Sequence, residues 1–274
     1  MIFLLKIFYG ILLLVLINFQ NSYSQSDTVK NVQPSFDQKI EVGEEYTYLV
    51  KYAFLNLGEV KTKIFAKEKL HGKTIYKAIA YIDSYKGLPL VDLHQTFESW
   101  FDSKLHPVFF QSYLFGDTDT TYTKYFFEDE NRIHVIKGNL SGSETSLDTT
   151  IKVDGIFYDG LTLLYAARYN FDSLNSITLP CFIAEDTSTT FVNYYPEEEE
   201  ISIDVVGYNI GSIKLDGEAT FAGVFGLTGY FEGWFSDDEH RVPLSANLQV
   251  MIGNVTLELI DWKNKKWQPP VYRN

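Results

Sequence analysis

The chain has 274 residues, a formal net charge of −13 and one cysteine. Its acidic balance disfavours binding to nucleic acid and to anionic lipid, because both select basic surfaces. With Cys181 alone, no internal disulfide can form. The apolar residues around this thiol predict a buried, inert side chain rather than a catalytic nucleophile.

The first 24 residues have the pattern of a secretory signal. Lys6 is the only charged residue before Asp27, and the run from Ile7 to Ile17 is almost wholly apolar. Ser22-Tyr23-Ser24 then fits the small-x-small rule for cleavage. An uncleaved membrane anchor is the alternative, because the apolar stretch approaches the roughly 20 residues that a transmembrane helix needs. We expect a cleaved signal peptide and export to the periplasm or outer cell envelope of a Gram-negative bacterium, since eukaryotic secreted proteins of this size usually carry disulfides.

Alternating apolar and polar side chains dominate the chain after residues 25–38, a polar and aperiodic segment that we expect to be a flexible arm. In the first strand Tyr46, Tyr48 and Val50 alternate with polar residues. A period of two is typical of antiparallel strands with one buried face. The predicted strands lie, in chain order, near 46–52, 60–67, 74–82, 94–102, 107–115, 121–128, 132–137, 178–184, 188–194, 201–207, 212–221, 226–235, 243–252 and 255–262.

One segment between the two groups of strands has helical spacing instead. Within residues 159–169, Leu161, Leu164 and Tyr165 share one face of a helix. Asp159 is a suitable N-cap for it. We therefore predict one main helix near 159–169, between two β-rich halves.

A five-residue string occurs twice in the β pattern. Phe97-Glu98-Ser99-Trp100-Phe101 recurs as Phe231-Glu232-Gly233-Trp234-Phe235, and an acidic turn and a proline follow each copy. The repeat predicts two similar β-hairpin corners that arose by internal duplication. Because side chains alternate along a strand, the two tryptophans should lie on equivalent faces.

These patterns together predict a mainly β fold of curved antiparallel sheets or half-barrels, with one helix packed against them. A single domain should span residues 39–266, with halves at about 39–155 and 172–266. Residues 267–274 should form a tail. No segment after the signal is long and apolar enough to predict a membrane span.

No catalytic signature stands out. The chain lacks a G-x-S-x-G elbow, a P-loop, a dinucleotide-binding glycine motif and the zinc motif H-E-x-x-H, and its five histidines fall on separate hairpins. Residues 116–121 begin like a calcium loop but lack the oxygen ligand at the fifth place, the glycine at the sixth and the closing Glu. We therefore predict no catalytic residues, no metal site and no cofactor.

Aromatic residues are unusually common, at 16%, with 21 Phe and 19 Tyr. Most should pack in the core and across strands, but they also allow an apolar concavity for a lipid-like ligand. A helix of about 11 residues is only about 16 Å long, so it should leave a pocket between itself and the glycine-rich strand at 222–230. The candidate ligand-binding residues are Trp100, Leu161, Leu164, Tyr165, Phe225, Tyr230 and Trp234.

Several groups of residues are similar to those of a known family. They are Val42-Gly43-Glu44 leading into Tyr46, Leu57-Gly58-Glu59-Val60, Phe97 to Asp102, Asp159 at the start of the helix, and Trp234 to Asp238 with Pro243-Leu244. As a set they resemble the bacterial exported proteins of domain of unknown function 3108, from about Val42 to Trp262. The resemblance implies a β-rich envelope protein and supplies no catalytic residues. At the level of fold alone, the architecture also resembles lipoprotein-carrier proteins, whose curved sheets wrap an apolar cavity plugged by a helix.

The sequence thus favours an exported, non-enzymatic envelope protein that binds an apolar or amphiphilic ligand, or a protein partner, on a concave aromatic face. One alternative is a hydrolase or lyase of envelope polysaccharide that uses Asp237, Asp238 and Glu239; it would need two carboxylates about 5–10 Å apart in an open groove. Another is a structural partner in a surface complex, which would show a flat apolar patch without a cavity.

Cleavage of the signal peptide should leave a mature chain that begins at Gln25. Sequencing the N-terminus of protein recovered from the envelope fraction should find Gln25 or its cyclised form. Recovery of intact Met1 in the membrane fraction would show an uncleaved anchor instead.

Overall fold

A computed structural model of the protein describes residues 35–88, 92–142, 145–171, 175–221, 227–250 and 253–273, and of Leu227 and Thr228 the backbone alone. These residues belong to one compact unit, Ser35–Asn274. Fourteen antiparallel strands form one sheet, and the described residues contain one α-helix. The elements are β1 Glu45–Tyr52, β2 Leu55–Leu70, β3 Lys73–Ser84, β4 His94–Asp102, β5 Pro107–Phe115, β6 Thr120–Asp129, β7 Arg132–Asn139, β8 Thr145–Lys152, α1 Gly160–Tyr169, β9 Ser176–Ile183, β10 Asp186–Ile201, β11 Ile210–Ala219, β12 Leu227–Ser236, β13 Pro243–Val250 and β14 Asn254–Lys263.

The strand order confirms the predicted fold class, as a curved antiparallel sheet that does not close. It runs β8-β7-β6-β5-β4-β3-β2-β1-β14-β13-β12-β11-β10-β9. All neighbours but one are consecutive in the chain. The exception is the seam between β1 and β14, where Glu45 lies opposite Lys263 and Tyr52 opposite Val255. Two meanders therefore meet along this seam.

The order also shows an internal repeat of six strands. Each strand from β1 to β6 has a counterpart among β9 to β14, so that β1 matches β9 and β6 matches β14. In the order of strands across the sheet, every counterpart lies six positions further along. Strands β1 and β9 both have 8 residues, and β2 and β10 both have 16. Each of these hairpins closes with a two-residue turn that begins at an alanine with positive φ, Ala53 at 50° and Ala184 at 52°, as such tight turns require. In the sequence, strands β7 and β8 and helix α1 lie between the two copies.

The repeated tryptophans occupy matching positions, as the sequence predicted. Lys77 on β3 lies opposite Trp100 on β4, and Lys214 on β11 lies opposite Trp234 on β12. Each ammonium group sits over the indole ring, 4.0 Å from its centroid in the first pair and 5.2 Å in the second. Both tryptophans lie on the face of the sheet that points away from α1, which we call the outer face.

The repeated glutamates match as well. The amide of Gln111 on β5 donates to Glu98 at 2.7 Å, and the amide of Asn247 on β13 donates to Glu232 at 3.0 Å. In both copies the partner stands directly opposite on the following strand. The two strings are thus equivalent strand segments with the same neighbours on both sides.

The inner face, which packs against α1, curls around the helix until the two ends of the sheet approach each other. Phe182 of β9 packs with buried residues of β5 to β7. Beyond it, Glu185 accepts hydrogen bonds from the Tyr125 hydroxyl at 2.8 Å and from Lys137 at 2.6 Å. The free edge of β9 is covered by a bridge from Tyr158 to Cys181. Burial raises the pKa of the Cys181 thiol to about 11, which keeps it protonated and unreactive.

Helix α1 begins at a buried acidic cap. The side chain of Asp159 accepts hydrogen bonds from the backbone N–H groups of Leu161 and Thr162, both at 3.0 Å. It also accepts the hydroxyls of Ser99 at 2.5 Å and Thr162 at 2.6 Å. Burial raises the pKa of Asp159, and these hydrogen bonds oppose the rise. The predicted N-cap and helix are confirmed.

The other end of the helix is held by a buried ion pair. Arg168 donates to the two carboxylate oxygens of Glu44 at 2.7 and 3.1 Å, and both side chains are 2% exposed. It also donates to the His240 carbonyl from Nε at 3.0 Å and from Nη2 at 2.8 Å. Burial by itself lowers the pKa of Arg168, but the Glu44 carboxylate together with Tyr169 and Tyr46 raises it by more, so the net pKa is raised. The guanidinium therefore stays charged inside the protein.

Residues that flank the predicted domain pack against the sheet at both ends of the described chain. Phe36, expected in a flexible arm, is 6% exposed, and its N–H donates to the Ser103 carbonyl at 2.7 Å. Trp267, expected in a tail, is 2% exposed, and its indole donates to Asp238 at 2.8 Å. Neither segment has a strand-like period, so their packing depends on single aromatic anchors that the sequence pattern does not reveal.

Replacing Arg168 with Met should lower the free energy of unfolding by about 3–5 kcal/mol, because the Glu44 carboxylate would remain buried without its cationic partner and would keep the Tyr46 hydroxyl at 3.2 Å. Arg132→Met is the matched control. Arg132 pairs with Asp129 at 2.9 Å, but the two side chains are 54% and 41% exposed, so its loss should cost at most about 1 kcal/mol. Urea unfolding followed by tryptophan fluorescence measures both. Equal losses would show that the buried pair contributes no more than an exposed one.

Candidate functional site: an apolar cavity beneath the helix

Two adjoining chambers lie between α1 and the inner face of the sheet, and together we call them the inner cavity. The first chamber has a volume of about 630 Å³ and faces β2 to β6 and the end of β9. The second has a volume of about 240 Å³ and faces mainly β11 to β14. The chambers meet at residues that line both, among them Val60, Leu163, Leu164, Phe221, Leu248 and Leu257.

The inner cavity exists because α1 is short and is held to one side. At 10 residues it is about 15 Å long, and Ser99 and Tyr158 fix its start to β4 and β9. The equivalent of Ser99 in the second copy of the string is Gly233, which lines the second chamber. A glycine there offers no hydroxyl to hold a helix and no side chain to fill the space. The one difference between the two strings therefore lies at the wall of the second chamber.

The second chamber is apolar on nearly every side. Its walls include Ala167 of α1, Leu215, Phe231 and Ala246. Glu232 also borders it, but the Glu232 carboxylate is bonded to Lys214 at 2.7 Å and to Asn247, both on the outer face. Hydrocarbon is the chemistry that such walls accept.

The first chamber has the same apolar floor but a polar wall. Gln95, Ser112 and Thr123 lie on the inner faces of β4, β5 and β6, and Ser112 stands directly opposite Thr123. At the rim, Glu185 accepts the hydroxyl of Tyr125, whose pKa burial raises well above its ordinary value. That phenol stays protonated and donates. The cavity thus has one polar end and one apolar end.

The structure places two of the predicted ligand-binding residues at the inner cavity. Leu161 lines the first chamber and Leu164 lines both. Tyr165 is instead part of the solid core, 3% exposed, with its ring 5.4 Å from that of Phe101. Phe225 lies outside the described residues. The ligand-binding role of each stays a prediction.

The structure corrects the predicted placement of the other three. Trp100, Tyr230 and Trp234 lie on the outer face, where the Tyr230 hydroxyl contacts Asp216 at 3.3 Å. Their strands border the interior, but successive side chains of a strand point to opposite faces of the sheet, so only alternate residues of the aromatic string face inward. The inward members are Phe97 in the first copy and Phe231 in the second, and both line the cavity.

Sequence reasoning also missed Leu163 and Ala167. Both line the second chamber, on the helix face next to the one that carries Leu161 and Tyr165. The available signal was that apolar residues occupy most of the circumference of this helix. A helix of this kind is covered by other groups on more than one side. No sequence pattern identified Gln95 as a cavity residue, since a single amide side chain in a strand is common.

The acidic cluster after β12 stabilises a turn. Asp237 pairs with Arg241 at 2.7 Å, and Asp238 accepts the Ser236 hydroxyl at 2.9 Å and the indole of Trp267. Asp102, the last residue of β4, has a similar role, because it accepts the backbone N–H of Lys104 at 2.8 Å. Within the described ranges, no group of three His, Cys, Asp or Glu side chains could hold a metal ion. No helix in that part of the chain is long and apolar enough to cross a membrane.

The fold and cavity define a class: mainly β proteins whose single curled sheet surrounds one helix. The chain belongs to the family described as protein of unknown function DUF3108, whose model matches residues 47–260, and this confirms the resemblance seen in the sequence. A search of curated proteins finds no match. A similar solved structure is the crystal structure of a beta-barrel-like protein of domain of unknown function DUF1849 from Brucella abortus, with a TM-score of 0.50 and 10% identity over 80% of this chain and 96% of that one. At that identity the likeness concerns the fold alone.

Removing the hydroxyl that holds the helix cap should destabilise the protein. Ser99→Ala should cost about 1–3 kcal/mol, because the buried Asp159 carboxyl loses a donor that no solvent replaces. Ser245→Ala is the control: its hydroxyl donates to the Leu257 carbonyl at 3.1 Å from a partly buried site, and its loss should cost about 1 kcal/mol or less. Urea unfolding compares them. A smaller loss for Ser99→Ala than for the control would contradict the anchoring role.

Proposed function

We propose that this protein is an exported, non-enzymatic protein of the bacterial cell envelope that binds one elongated apolar or amphiphilic ligand in the inner cavity. The observation that carries the proposal is the unfilled space beneath α1. Protein interiors are normally packed as densely as organic crystals, and chambers of about 630 and 240 Å³ fall in or near the range of about 300–1,000 Å³ that is typical of ligand sites.

The state of the lining side chains supports the proposal. Leu163, Leu164, Leu248 and Leu257 point into the interior yet are only partly buried. Apolar side chains in this state gain free energy when a ligand covers them, at about 25 cal/mol per Å² of apolar surface removed from water. The ligand would therefore be held mainly by its hydrocarbon part.

The export part of the proposal rests on the N-terminal pattern. An apolar run after Lys6 and the small residues at Ser22 and Ser24 are those of a cleavable signal. The resemblance of the sequence to bacterial exported proteins supports export as well. In the envelope, lipids and their precursors are the abundant elongated apolar molecules.

Replacing Leu164 with Asp should weaken binding of the uncharged fluorescent probe N-phenyl-1-naphthylamine at least about tenfold, because a carboxylate would stand where the two chambers meet. Leu140→Asp is the matched control, since Leu140 is 60% exposed and does not line the cavity. Fluorescence titration of folded, monodisperse protein measures both.

Ala246→Phe adds a test of the second chamber, whose space it would fill. Among alcohols of increasing chain length, this variant should lose the longest competitors first. Absence of saturable probe binding to the natural protein, or equal binding by the Leu164 and Leu140 variants, would remove the proposal.

A further inference from the structure

We infer that the inner cavity selects amphiphiles with an uncharged, hydrogen-bonding head group, such as monoacylglycerols and long-chain alcohols, over fatty-acid anions. This inference rests on the proposed function, because it names the ligand class of the same cavity. It follows from where polar groups and charges stand around the two chambers.

The polar end of the cavity is built from neighbouring positions of three strands. Ser112 and Thr123 face each other across β5 and β6, and Phe97 on β4 pairs with Ser112. Gln95 precedes Phe97 by two residues on the same face, which places it diagonally across from Ser112. Three side chains with hydroxyl or amide groups therefore converge on one wall of the first chamber.

Gln95 carries an acceptor that the protein leaves unused. Its Oε1 atom is buried and has no hydrogen-bond partner among the described residues. Buried polar atoms are nearly always hydrogen-bonded, and leaving one unpaired costs free energy. The side chain of Gln95 borders the first chamber, so a rotation that turns Oε1 toward the chamber would let a hydroxyl or amide N–H of a ligand supply the missing donor. A carboxylate or a phosphate diester could not bond this oxygen, because each only accepts.

The distribution of charged residues around the cavity also favours an uncharged head group. The described lining of both chambers contains no Lys, Arg or His. The rim carboxylate of Glu185 is already neutralised by Lys137 at 2.6 Å and accepts the Tyr125 hydroxyl. An anionic head group would enter without a counter-ion, which burial penalises strongly. A cationic head group would have to displace Lys137 from the Glu185 carboxylate.

The apolar second chamber determines the direction in which the ligand lies in the cavity. Glu232, the charged residue at the second chamber, directs its carboxylate to Lys214 on the outer face. The hydrocarbon tail therefore fits the second chamber, past Leu163 and Leu164, and the head group stays beside Gln95 in the first.

The test is competition against N-phenyl-1-naphthylamine at pH 8, with monolauroylglycerol, laurate and dodecylamine each below its micelle concentration. The three share a twelve-carbon tail and differ in the charge of the head group. Monolauroylglycerol should compete at least about tenfold better than laurate and better than dodecylamine. Equal or better competition by either ion would overturn the inference, whereas failure of the probe itself to bind would remove the proposed function.

Variants of Gln95 separate head-group recognition from cavity binding. Gln95→Leu should weaken monolauroylglycerol about 5–30-fold relative to laurate, with the affinity of each variant for the probe measured first so that competition is compared on that basis, and Gln95→Lys should strengthen laurate. Gln111→Leu is the matched control, because Gln111 lies on the outer face and is bonded to Glu98; it should change neither. Unchanged competition in both Gln95 variants would overturn the assignment of the head-group site.

Discussion

The buried ion pair between Arg168 and Glu44 connects the three parts of this molecule. Glu44 immediately precedes β1, the guanidinium belongs to the last turn of α1, and its remaining donors reach the His240 carbonyl in the turn after β12. One side chain thus joins the helix to the first meander at the seam and to the second meander at a turn. Two charges at 2% exposure are tolerated only because each is fully bonded, so the helix has little freedom to shift along the sheet.

The opposite end of α1 explains why the interior is filled unevenly. The two six-strand copies are alike in order, strand length and outward-facing pairs, and a symmetric filling would need one helix for each. There is one described helix, and Ser99 binds its cap where Gly233 offers nothing equivalent. The sheet therefore has two similar concave halves, and the Ser99 hydroxyl holds the start of the helix to the first of them. Space remains on both sides of the helix, and the part beside β11 to β14 is the apolar end of the cavity.

The same asymmetry gives the cavity its chemical direction. Its walls near β4 to β6 retain an amide and two hydroxyls, whereas those near β11 to β14 are mainly apolar, with a glutamate that points outward and the Ser245 hydroxyl bonded to the Leu257 carbonyl. A ligand that matched both ends would bury its tail for affinity and use its head for selection. The acidic turn after β12, which the sequence offered as a possible catalytic cluster, uses the Asp238 carboxylate to hold the Trp267 indole, and Asp102 at the end of β4 holds a backbone N–H group in the same way.

Most of the local elements could be predicted from neighbouring residues in the chain. Alternation predicted the strands apart from β8, and it wrongly predicted a separate strand at 201–207, where β10 ends at Ile201. Asp159 and helical spacing predicted α1, and the repeated string predicted equivalent places on β4 and β12. Which face became the interior could not be predicted in this way. A period of two says that Phe97 and Trp100 point in opposite directions but not which one points inward, since that depends on how the whole sheet curls. The unpaired acceptor of Gln95, the burial of Phe36 and Trp267, and the space beside Gly233 are likewise products of contacts between segments far apart in the chain. No local pattern could reveal them.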